Sequence, residues 1–470
     1  MTDKTYHEIL AFLRRTIEGT PWEGNIFAVG GCCRDTAMGM PVKDIDLAVS
    51  TPDGGIEFAE WLHKKHLTAG KPVTFCKYGT ARLTLKEFPA DEIELVQTRR
   101  EKYTDRTSRD PSVAFGSIDE DCFRRDLTIN TLYYDISREK MLDITGVALH
   151  DIEQHIIRTP SDPDMTFDDD PVRILRTVRF AAKYGWEIQP VCFEAMSRYV
   201  NRLSIISPER MWGEFEKILL CPNPGMALEM LRRVGALPYI MPELCRTVGL
   251  EQSEYHFGTV WEHTLAVVNK VPADTVLRTA ALLHDIGKIV CAKKGYDGTV
   301  RFPRHNQRAR GIVGAALNRF HCRSSFIDKV VFLVVNHEAA KSWGADASKM
   351  TDADLRSLQY KCRNNRRFEN LLILIDADNR SYAPDHCMPD QVKEIKLRAA
   401  KLKAGRTDGF TLKLPVKPSR VAKTAGLAPG PKLDAIMKRL YEILYQNPKV
   451  SREKLLETVR ALSRKIKKQS

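Results

Sequence analysis

The pattern of hydrophobic and polar positions changes partway along the 470-residue chain. Up to about residue 150, short apolar or alternating runs favour β-strands, and residues 32–39 suit a short helix between the first two of them. The strand-like runs lie at 26–30, 44–49, 72–76, 81–86 and 92–98. Beyond about residue 168, apolar residues recur three and four positions apart, which is typical of amphipathic helices. The pattern therefore predicts an α+β fold, in which a small head with a mixed β-sheet precedes a long all-α body.

The helical part has five segments with clear periodicity, and one segment of the head has almost none. The periodic segments lie at 168–186, 208–220, 224–237, 278–288 and 368–380. The first of them has a proline early and Gly185 near its end, which are typical positions for a helix start and a helix end. Residues 99–118 are polar and charged, and we expect a mobile loop there.

Charge is distributed unevenly along the chain, whose formal net charge is +13. Residues 391–470 hold 21 Lys and Arg against 6 Asp and Glu, whereas residues 1–150 hold 20 against 24. This basic excess indicates a polyanionic partner for the last 80 residues, the alternative being a solvated helical tail. No apolar run is long enough to span a membrane. The 11 cysteines include no Cys-x-x-Cys pair, so we expect reduced thiols in a cytoplasmic protein with no membrane partner.

Two carboxylates carry the first chemical signal of the head. Asp44 and Asp46 lie two residues apart in a strand-like run, so their side chains are expected on one face of the strand. They would repel each other unless a cation lay between them, and carboxylate oxygens suit Mg²⁺. An isolated Asp-x-Asp is more often a pair of surface acids, so the signal depends on its context.

That context is a glycine pair and an arginine shortly before the carboxylates. Gly30 and Gly31 lie where the first strand meets the short helix, and glycines allow a phosphate to approach the backbone closely. Arg34 adds a guanidinium fork that suits phosphate oxygens. The order of these features predicts a site for a nucleoside triphosphate with Mg²⁺.

The segment GGCCRDTAMGMPVKDIDLAV resembles the signature of the class II tRNA nucleotidyltransferases, the CCA-adding enzymes, and of bacterial poly(A) polymerases. Two further segments match in order: RRDLTIN at 124–130 resembles the family's ribose- and triphosphate-binding motif, and DDPVRILRTVRFAA at 169–182 resembles its base-selecting motif. The resemblance implies that Asp44 and Asp46 hold the catalytic metals, with Glu94 as a third carboxylate. The implied nucleotide-binding residues are Gly30, Gly31, Arg34, Arg124, Arg125, Asp126, Asn130, Asp170, Arg173, Arg176 and Arg179.

The base-selecting role has a physical basis in the residue types. Asp170 and Arg173, three apart on an expected helix, would offer an acceptor beside a donor, which suits the mixed edges shared by C and A. An ordinary surface salt bridge is the alternative. The first acid of this motif is commonly Glu in the family, and Asp169 stands there in this chain. The segment 99–118 matches the family only loosely. An enzyme that adds only CC or only A therefore remains an open alternative.

A second group of residues lies in the helical body. His263, His284, Asp285 and Asp378 have the types and spacing that resemble the HD phosphohydrolase superfamily, and HDIGK at 284–288 strengthens the match. The resemblance implies a divalent transition metal that activates water against a phosphoester. His305 and His337 match positions that some members use for a second metal or for substrate. Buried histidines with a purely structural role are the alternative.

Together the resemblances predict an enzyme that adds C, C and A to tRNA from CTP and ATP and releases pyrophosphate. The predicted domains are a nucleotidyltransferase head at 1–150, a helical neck at 151–250, an HD domain at 251–385 and a basic helical tail at 386–470. Three alternatives stay open. They are a poly(A) polymerase or partial enzyme, a metal-dependent phosphohydrolase with an RNA-binding head, and a non-catalytic RNA-binding protein.

Overall fold

The computed structural model describes residues 3–76, 79–103, 111–253, 255–256, 258–296 and 299–468. It divides into two compact units, Met1–Pro242 and Glu243–Ser470. No helix among the described residues is both long enough and apolar enough to cross a bilayer.

The strands of the first unit come mostly from the head. They are β1 (Ile26–Val29), β2 (Ile45–Val49), β3 (Val73–Phe75), β4 (Thr80–Thr84), β5 (Glu92–Gln97), β6 (Arg99–Lys102), β7 (Ser112–Phe115), β8 (Tyr133–Asp135), β9 (Lys140–Leu142), β10 (Ile156–Ile157) and β11 (Glu187–Ile188). The five strand-like runs of the sequence correspond to β1–β5, so their prediction is confirmed.

The helices of this unit frame the sheet and then form the neck. They are α1 (Asp3–Ile17), α2 (Gly31–Ala37), α3 (Gly54–Lys64), α4 (Ile118–Phe123), α5 (Ala148–Glu153), α6 (Pro163–Asp169), α7 (Val172–Tyr184), α8 (Pro190–Tyr199), α9 (Pro208–Leu219), α10 (Pro224–Val234) and α11 (Leu237–Ile240), with α12 (Pro242–Cys245) at the boundary. Gly185 ends α7 in the left-handed conformation, with φ of 72°, as its position in the sequence predicts.

A seven-stranded mixed sheet forms the head, in the order β3-β4-β5-β2-β1-β8-β9. The central strands β2 and β5 run parallel, and their neighbours pair antiparallel. All four residues of β1 are buried, which explains its uninterrupted apolar run. The helix α3 packs on β2, β4 and β5. This arrangement confirms the predicted head with a mixed sheet.

Residues 99–118 are not the continuous loop that their polarity predicts. The strands β6 and β7 pair antiparallel, with Arg99 opposite Phe115, and α4 begins at Ile118 behind a Ser117–Glu120 capping box. Most residues of this two-stranded ribbon are exposed or half-buried, so no buried face imposes an apolar alternation on the sequence. Residues 104–110 of the expected loop lie outside the described residues.

The body also departs from a purely helical arrangement. The strands β10 and β11 form a short parallel pair in the neck, and the second unit contains a small antiparallel pair, β12 (Lys293–Lys294) and β13 (Val300–Arg301). Such two-residue strands are too short to leave a periodic signal.

The second unit is otherwise helical. Its helices are α13 (Val260–Lys270), α14 (Thr275–Leu283), α15 (His305–Arg319), α16 (Ser324–Asn336), α17 (Asp352–Cys362), α18 (Asn365–Asn379), α19 (Gln391–Ala404), α20 (Pro418–Ala425), α21 (Pro431–Gln446) and α22 (Arg452–Lys468). A short 3₁₀ helix, Ile286–Val290, follows α14.

The basic tail belongs to this compact unit and is not a detached solvated helix. The helices α20, α21 and α22 enclose a hydrophobic cluster that includes Val421, Leu440 and Leu455. Arg356 of α17 donates from Nη1 to the carbonyl of Tyr445 at 2.7 Å. The tail therefore has its own core and is fixed to the helices that precede it.

Candidate functional site

Neighbouring strands bring two of the predicted carboxylates together. In the parallel pairing of β2 with β5, Asp46 lies opposite Glu94, and side chains of directly paired residues share one face of a sheet. Arg82 of β4 lies opposite Glu94 on the other side, and its Nη2 is 3.3 Å from Glu94 Oε2. Asp44 directly precedes β2 instead of lying within it.

The electrostatics of this group favour a bound cation. Burial, followed by the nearby carboxylates of Glu94 and Asp44, raises the pKa of Asp46 to about 6, against the opposing effect of Arg125. Neighbouring carboxylates of this kind are stabilised by a hard divalent ion, for which they are suitable ligands. The donor set therefore fits Mg²⁺.

The glycine pair lies at the start of α2, close to an arginine of the second motif. Gly30 has φ of 74°, a left-handed conformation that favours glycine. A Cβ at this position would lie 3.4 Å from Arg125 Nη1. Gly31 is the first residue of α2. The positive φ and the close approach of Arg125 together explain why glycine suits position 30.

Arg34 is a buried arginine whose donors are already engaged. Its Nη1 donates to Asn130 Oδ1 at 2.6 Å, and its Nη2 lies 2.7 Å from Asp35 Oδ1. The guanidinium also faces the rings of Phe180 and Tyr184, at 5.2 and 5.7 Å from the ring centres. Arg34 thus connects the glycine turn to α7.

A chain of hydrogen bonds joins all three sequence motifs. Asn130 donates from Nδ2 to Asp126 Oδ1 at 2.9 Å, and Arg176 of α7 donates from Nε to Asp126 Oδ2 at 2.7 Å. Burial opposes the ionisation of Asp126, but Arg176 and the hydrogen bond from Asn130 lower its pKa to about 2. The link Arg34–Asn130–Asp126–Arg176 fixes the relative positions of the head turn, the second motif and α7.

The sequence interpretation missed the central carboxylate of this region. Asp121 is completely buried and accepts from Arg124 Nη2 at 2.6 Å, from Arg125 Nη2 at 2.8 Å and from the Tyr133 hydroxyl at 2.5 Å. Although burial opposes ionisation, Arg125 and Arg124 hold the pKa of Asp121 well below its usual range. Its spacing of three and four residues before the arginine pair was the available signal.

An arginine-rich cavity of about 390 Å³ lies beside these motifs. Six arginines and three acids line it, namely Arg99, Arg124, Arg125, Arg173, Arg176, Arg210, Glu101, Asp126 and Asp170. A second cavity of about 550 Å³, lined by Asp46 and Glu94, shares Arg99, Arg124 and Arg125 with the first. The excess positive charge suits a polyphosphate next to the carboxylates. Arg99 and Glu101, in the expected loop, and Arg210 were not predicted.

The sequence predicts Asp170 and Arg173 on one helix. In the structure Arg173 lies on α7, but Asp170 precedes that helix. It follows the last residue of α6, and its Oδ1 accepts from the backbone N–H of Val172 at 3.1 Å, in the first turn of α7. The reason is Pro171, because a proline disfavours the helical conformation of the residue before it. Asp170 Oδ2 lies 3.2 Å from Arg210 Nη2.

Arg173 still meets Asp170 at the cavity, because the side chains of both residues line it. Arg173 is largely buried and donates from Nη2 to the carbonyl of Arg124 at 2.8 Å. Arg179 has a different environment: its Nε lies 2.9 Å from Glu214 Oε2 of α9, and it is not among the residues that line either cavity.

The second unit contains a buried cluster of metal-ligand types. The ligand atoms of His263, His284 and Asp378 all lie within 4.8 Å of one another. His263 Nε2 is 3.0 Å from Asp378 Oδ1 and 3.3 Å from His284 Nε2. Of the two late aspartates, Asp378 lies in the cluster, whereas Asp376 pairs with Arg380 at 2.9 Å.

A second group adjoins the first through Asp285. The ligand atoms of Asp285, His305 and His337 also lie within 4.8 Å of one another. Asp285 Oδ2 is 3.2 Å from His284 Nε2, and its Oδ1 is 3.1 Å from His305 Nε2. Lys288 Nζ lies 2.6 Å from Asp285 Oδ2. Asp285 therefore lies between the two groups.

The orientation of the four imidazoles distinguishes this cluster from ordinary core histidines. In each ring, Nδ1 donates to a backbone carbonyl. The acceptors, at 2.7–3.2 Å, are those of Ser381, Ala281, Phe302 and Val334. In the neutral rings the four Nε2 lone pairs then face inward, where a cation would stabilise them. This donor set fits a divalent transition metal.

The mixed sheet, its carboxylate group and the adjoining arginine-rich cavity together define a nucleotidyl-transfer site. Residues 26–158 match the family model described as the poly A polymerase head domain. Residues 185–247 match the one described as the probable RNA and SrmB-binding site of polymerase A.

Curated relatives cover much of the chain. This chain is 30% identical over 374 residues to the multifunctional CCA protein of Thioalkalivibrio sulfidiphilus. The alignment covers 75% of this chain and 84% of the relative. It is 37% identical over 220 residues to the mitochondrial CCA tRNA nucleotidyltransferase of Saccharomyces cerevisiae. That alignment covers 43% of this chain and 40% of the relative. The chain therefore belongs to the CCA tRNA nucleotidyltransferase family.

Solved structures share its fold. The CCA-adding enzyme of Bacillus stearothermophilus in complex with CTP matches with a TM-score of 0.67 and 19% identity over 99% of both chains. The Thermotoga maritima CCA-adding enzyme complexed with tRNA matches with a TM-score of 0.59 and 19% identity over 98% of this chain and 96% of the other.

Proposed function

We propose that this protein adds C, C and A to the 3′ end of tRNA, using CTP and ATP and releasing pyrophosphate. The observation that carries the proposal is the pairing of Asp46 with Glu94 beside a cavity lined by six arginines. In the reaction, the RNA 3′-hydroxyl attacks the α-phosphate, and the bond from that phosphate to pyrophosphate breaks. The names of the relatives and of the structural neighbours support the same function.

The head residues take separate parts in this proposal. Asp44, Asp46 and Glu94 hold Mg²⁺, which when bound supplies charge neutralisation at the phosphates and acidifies the attacking hydroxyl. Arg124 and Arg125, held by Asp121, bind the triphosphate. Of the remaining predicted residues, Gly30, Gly31, Arg34, Asp126, Asn130 and Arg176 form or support the nucleotide pocket, whereas Arg179, paired with Glu214, is assigned no direct part in it.

Base selection falls to Asp170 and Arg173. Both side chains line the arginine-rich cavity, so a carboxylate acceptor and a guanidinium donor can face one base edge. C and A share such a mixed edge, whereas U and G present different arrangements.

The predicted division into head, neck, HD domain and tail is also part of the proposal. So are tRNA as the partner and a cytoplasmic location, although the yeast relative is named mitochondrial.

The double variant Asp44→Ala, Asp46→Ala tests the head assignment. It is expected to incorporate no labelled CTP into tRNA while its thermal unfolding stays cooperative. Glu92→Gln is the matched control, because Glu92 lies on the same strand as Glu94 and is exposed. Normal incorporation by the double variant would disprove the assignment of the carboxylates.

A second activity, metal-dependent phosphoester hydrolysis, is favoured by the four inward-facing Nε2 atoms. His263, His284, Asp285 and Asp378 would hold the metal, and a bound divalent ion supplies an activated water. A neighbouring cavity of about 490 Å³ is lined by His305, by the acids Glu251 and Glu338, and by three cations, Lys288, Arg301 and Lys341. The three cations suit a phosphoester. This arrangement supports the HD-type assignment of the second unit.

Metal analysis tests this second activity. The purified protein is expected to contain a stoichiometric transition metal and to release phosphate from a simple phosphomonoester or a cyclic phosphodiester. Protein with no metal, and no hydrolysis after addition of Mn²⁺, Ni²⁺ or Co²⁺, would show that the histidines have a structural role only.

A further inference from the structure

A cavity of about 350 Å³ lies in the second unit, at the corner between α17 and α18. The residues from this corner that line it are Arg363, Asn364, Arg366 and Arg367, and α16 contributes Lys329. None of the residues of the histidine cluster line it. It is therefore a separate feature of the unit.

Four positive charges surround this cavity against a single acid. Arg363, Arg366, Arg367 and Lys329 are the cations, and Asp274 is the acid. Asp274 Oδ1 already accepts from the backbone N–H of Leu277 at 3.0 Å, at the start of α14. Its charge is thus placed at a helix N-terminus, where it is stabilised without any of the four cations.

The cations themselves are not neutralised by ion pairs. Among the described residues, Arg363, Arg366 and Lys329 make no ion pair. Nearby arginines of the same helices are paired: Arg380 lies 2.9 Å from Asp376, and Arg356 lies 3.6 Å from Asp352. Three cations without an ion pair therefore lie around one concave site.

One of the four cations is held in place by an aromatic ring. The guanidinium of Arg367 lies 4.4 Å from the centre of the Phe332 ring, and stacking of this kind restrains an arginine while leaving its outer donors available. The neighbouring Asn364 caps α18 by accepting from the backbone N–H of Arg367 at 2.9 Å. Arg367 and the start of α18 are therefore held in place before any ligand arrives.

We propose that this cavity binds backbone phosphates of RNA. Guanidinium forks suit phosphate oxygens, and several unpaired cations around one concave site are complementary to a chain of phosphates more than to a neutral ligand. The same unit carries the strongly basic residues 391–470, which favours a polyanion over a single small anion. That the RNA is tRNA rests on the proposed function.

The test measures tRNA binding as a function of salt for the variant Arg363→Asn, Arg366→Ala. Asn is used because residue 363 has φ of 64°, a conformation that Asn tolerates. The matched control is Arg310→Ala, Lys349→Ala, which removes the same charge from exposed residues of the same unit. Binding of tRNA is compared only between proteins whose melting temperatures are equal.

The cavity variant is expected to bind tRNA about 3- to 30-fold more weakly and to lower the slope of log K against log salt by about one to two. The control variant is expected to stay within about twofold of wild type. Equal loss in both variants, or no loss in the cavity variant, would overturn the proposal. So would stabilisation of the wild-type protein by inorganic phosphate with unchanged tRNA binding in the variant, since the site would then take a free phosphate.

Incorporation of CTP by the wild-type protein is recorded in parallel. If wild type adds no CTP while the cavity variant loses tRNA binding as expected, the proposed function fails and the RNA site is retained. If wild type adds CTP and the variant binds tRNA normally, only the RNA site fails.

Discussion

The two units each contain a candidate metal site, and the two sites differ in ligand chemistry and in burial. In the head, Asp46 and Glu94 line the second cavity, which shares three arginines with the arginine-rich one, and Asp44 is exposed. In the second unit, imidazole nitrogens converge in the interior, and His263 and His284 are completely buried. Hard carboxylate oxygens suit Mg²⁺ that arrives with a triphosphate, whereas buried imidazoles suit a resident transition metal. The comparison teaches that, under the proposed function, the exposed carboxylate site suits large substrates, whereas the buried imidazole site suits a resident ion.

The largest expected effect comes from damaging one site and measuring both activities. His284→Ala is expected to lose the bound transition metal and at least about a thousandfold of any phosphoester hydrolysis, because the ion supplies several kcal/mol to the transition state. Incorporation of CTP should stay within about twofold of wild type. His321→Asn, at an exposed histidine of the same unit whose φ of 54° Asn tolerates, is the control. Loss of both activities with an unchanged melting temperature would contradict the separation of the two sites.

Asp121→Asn tests whether the buried carboxylate positions the triphosphate arginines. Removing its charge leaves Arg124 and Arg125 without their shared partner, at a cost of about 2–3 kcal/mol, so kcat/KM for CTP is expected to fall about 30- to 100-fold. Most of the effect should appear in KM, since Arg124 and Arg125 bind the substrate. Asp119→Asn, two residues earlier and exposed, should behave as wild type. A lower melting temperature with unchanged KM would show that Asp121 only stabilises the fold.

Asp170→Ala sharpens the description of the head site as a selective one. The preference for CTP over UTP is expected to fall about 10- to 100-fold, because one of the two groups that face the base is lost. Loss of the hydrogen bond from the Val172 N–H to Asp170 should also lower stability by about 1 kcal/mol. Glu187→Ala, at an exposed acid shortly after α7, is the control. An unchanged preference for CTP over UTP with a lower kcat would limit Asp170 to holding the first turn of α7.

The smallest effect is expected at Arg179. Since its guanidinium pairs with Glu214 and does not line the cavity, Arg179→Ala should change the KM for CTP by no more than about twofold and reduce stability by about 1 kcal/mol. Arg176→Ala, one turn earlier on α7, breaks the link to Asp126 and should raise that KM about tenfold. An equal rise in the KM for CTP in both variants would show that Arg179 also contributes to the triphosphate site.

Much of the fold was predictable because buried strands and amphipathic helices impose a periodicity on the sequence. The strands β1 to β5 and the helix α7 were predicted for this reason. The ribbon of β6 and β7 was not, since its residues are mostly exposed or half-buried and no face of it is fully apolar. The sequence indicates a charge excess in the tail. The apolar positions of the tail nevertheless form a core around Leu440, and a count of charges cannot indicate such a core.

The candidate site was predictable where one short segment supplies several of its residues. Asp44, Asp46 and Arg34 lie within a single motif, and Glu94 was implied by the family resemblance. The missing residues, Asp121, Arg99 and Arg210, depend on which distant segments meet. The position of Asp170 depended on a local effect of Pro171 that a helical spacing argument leaves out. Motifs therefore identified the chemistry, and the fold determined how its side chains are arranged.

The most direct measurement of the central claim is the product length, at single-nucleotide resolution, on a tRNA that lacks its three terminal nucleotides. With Mg²⁺ and CTP alone, the protein is predicted to add two nucleotides and stop. With ATP alone it should add none, and with both it should add three and stop. A long run of A with ATP alone, or no addition under any condition, would contradict the assignment of the head as a CCA-adding site.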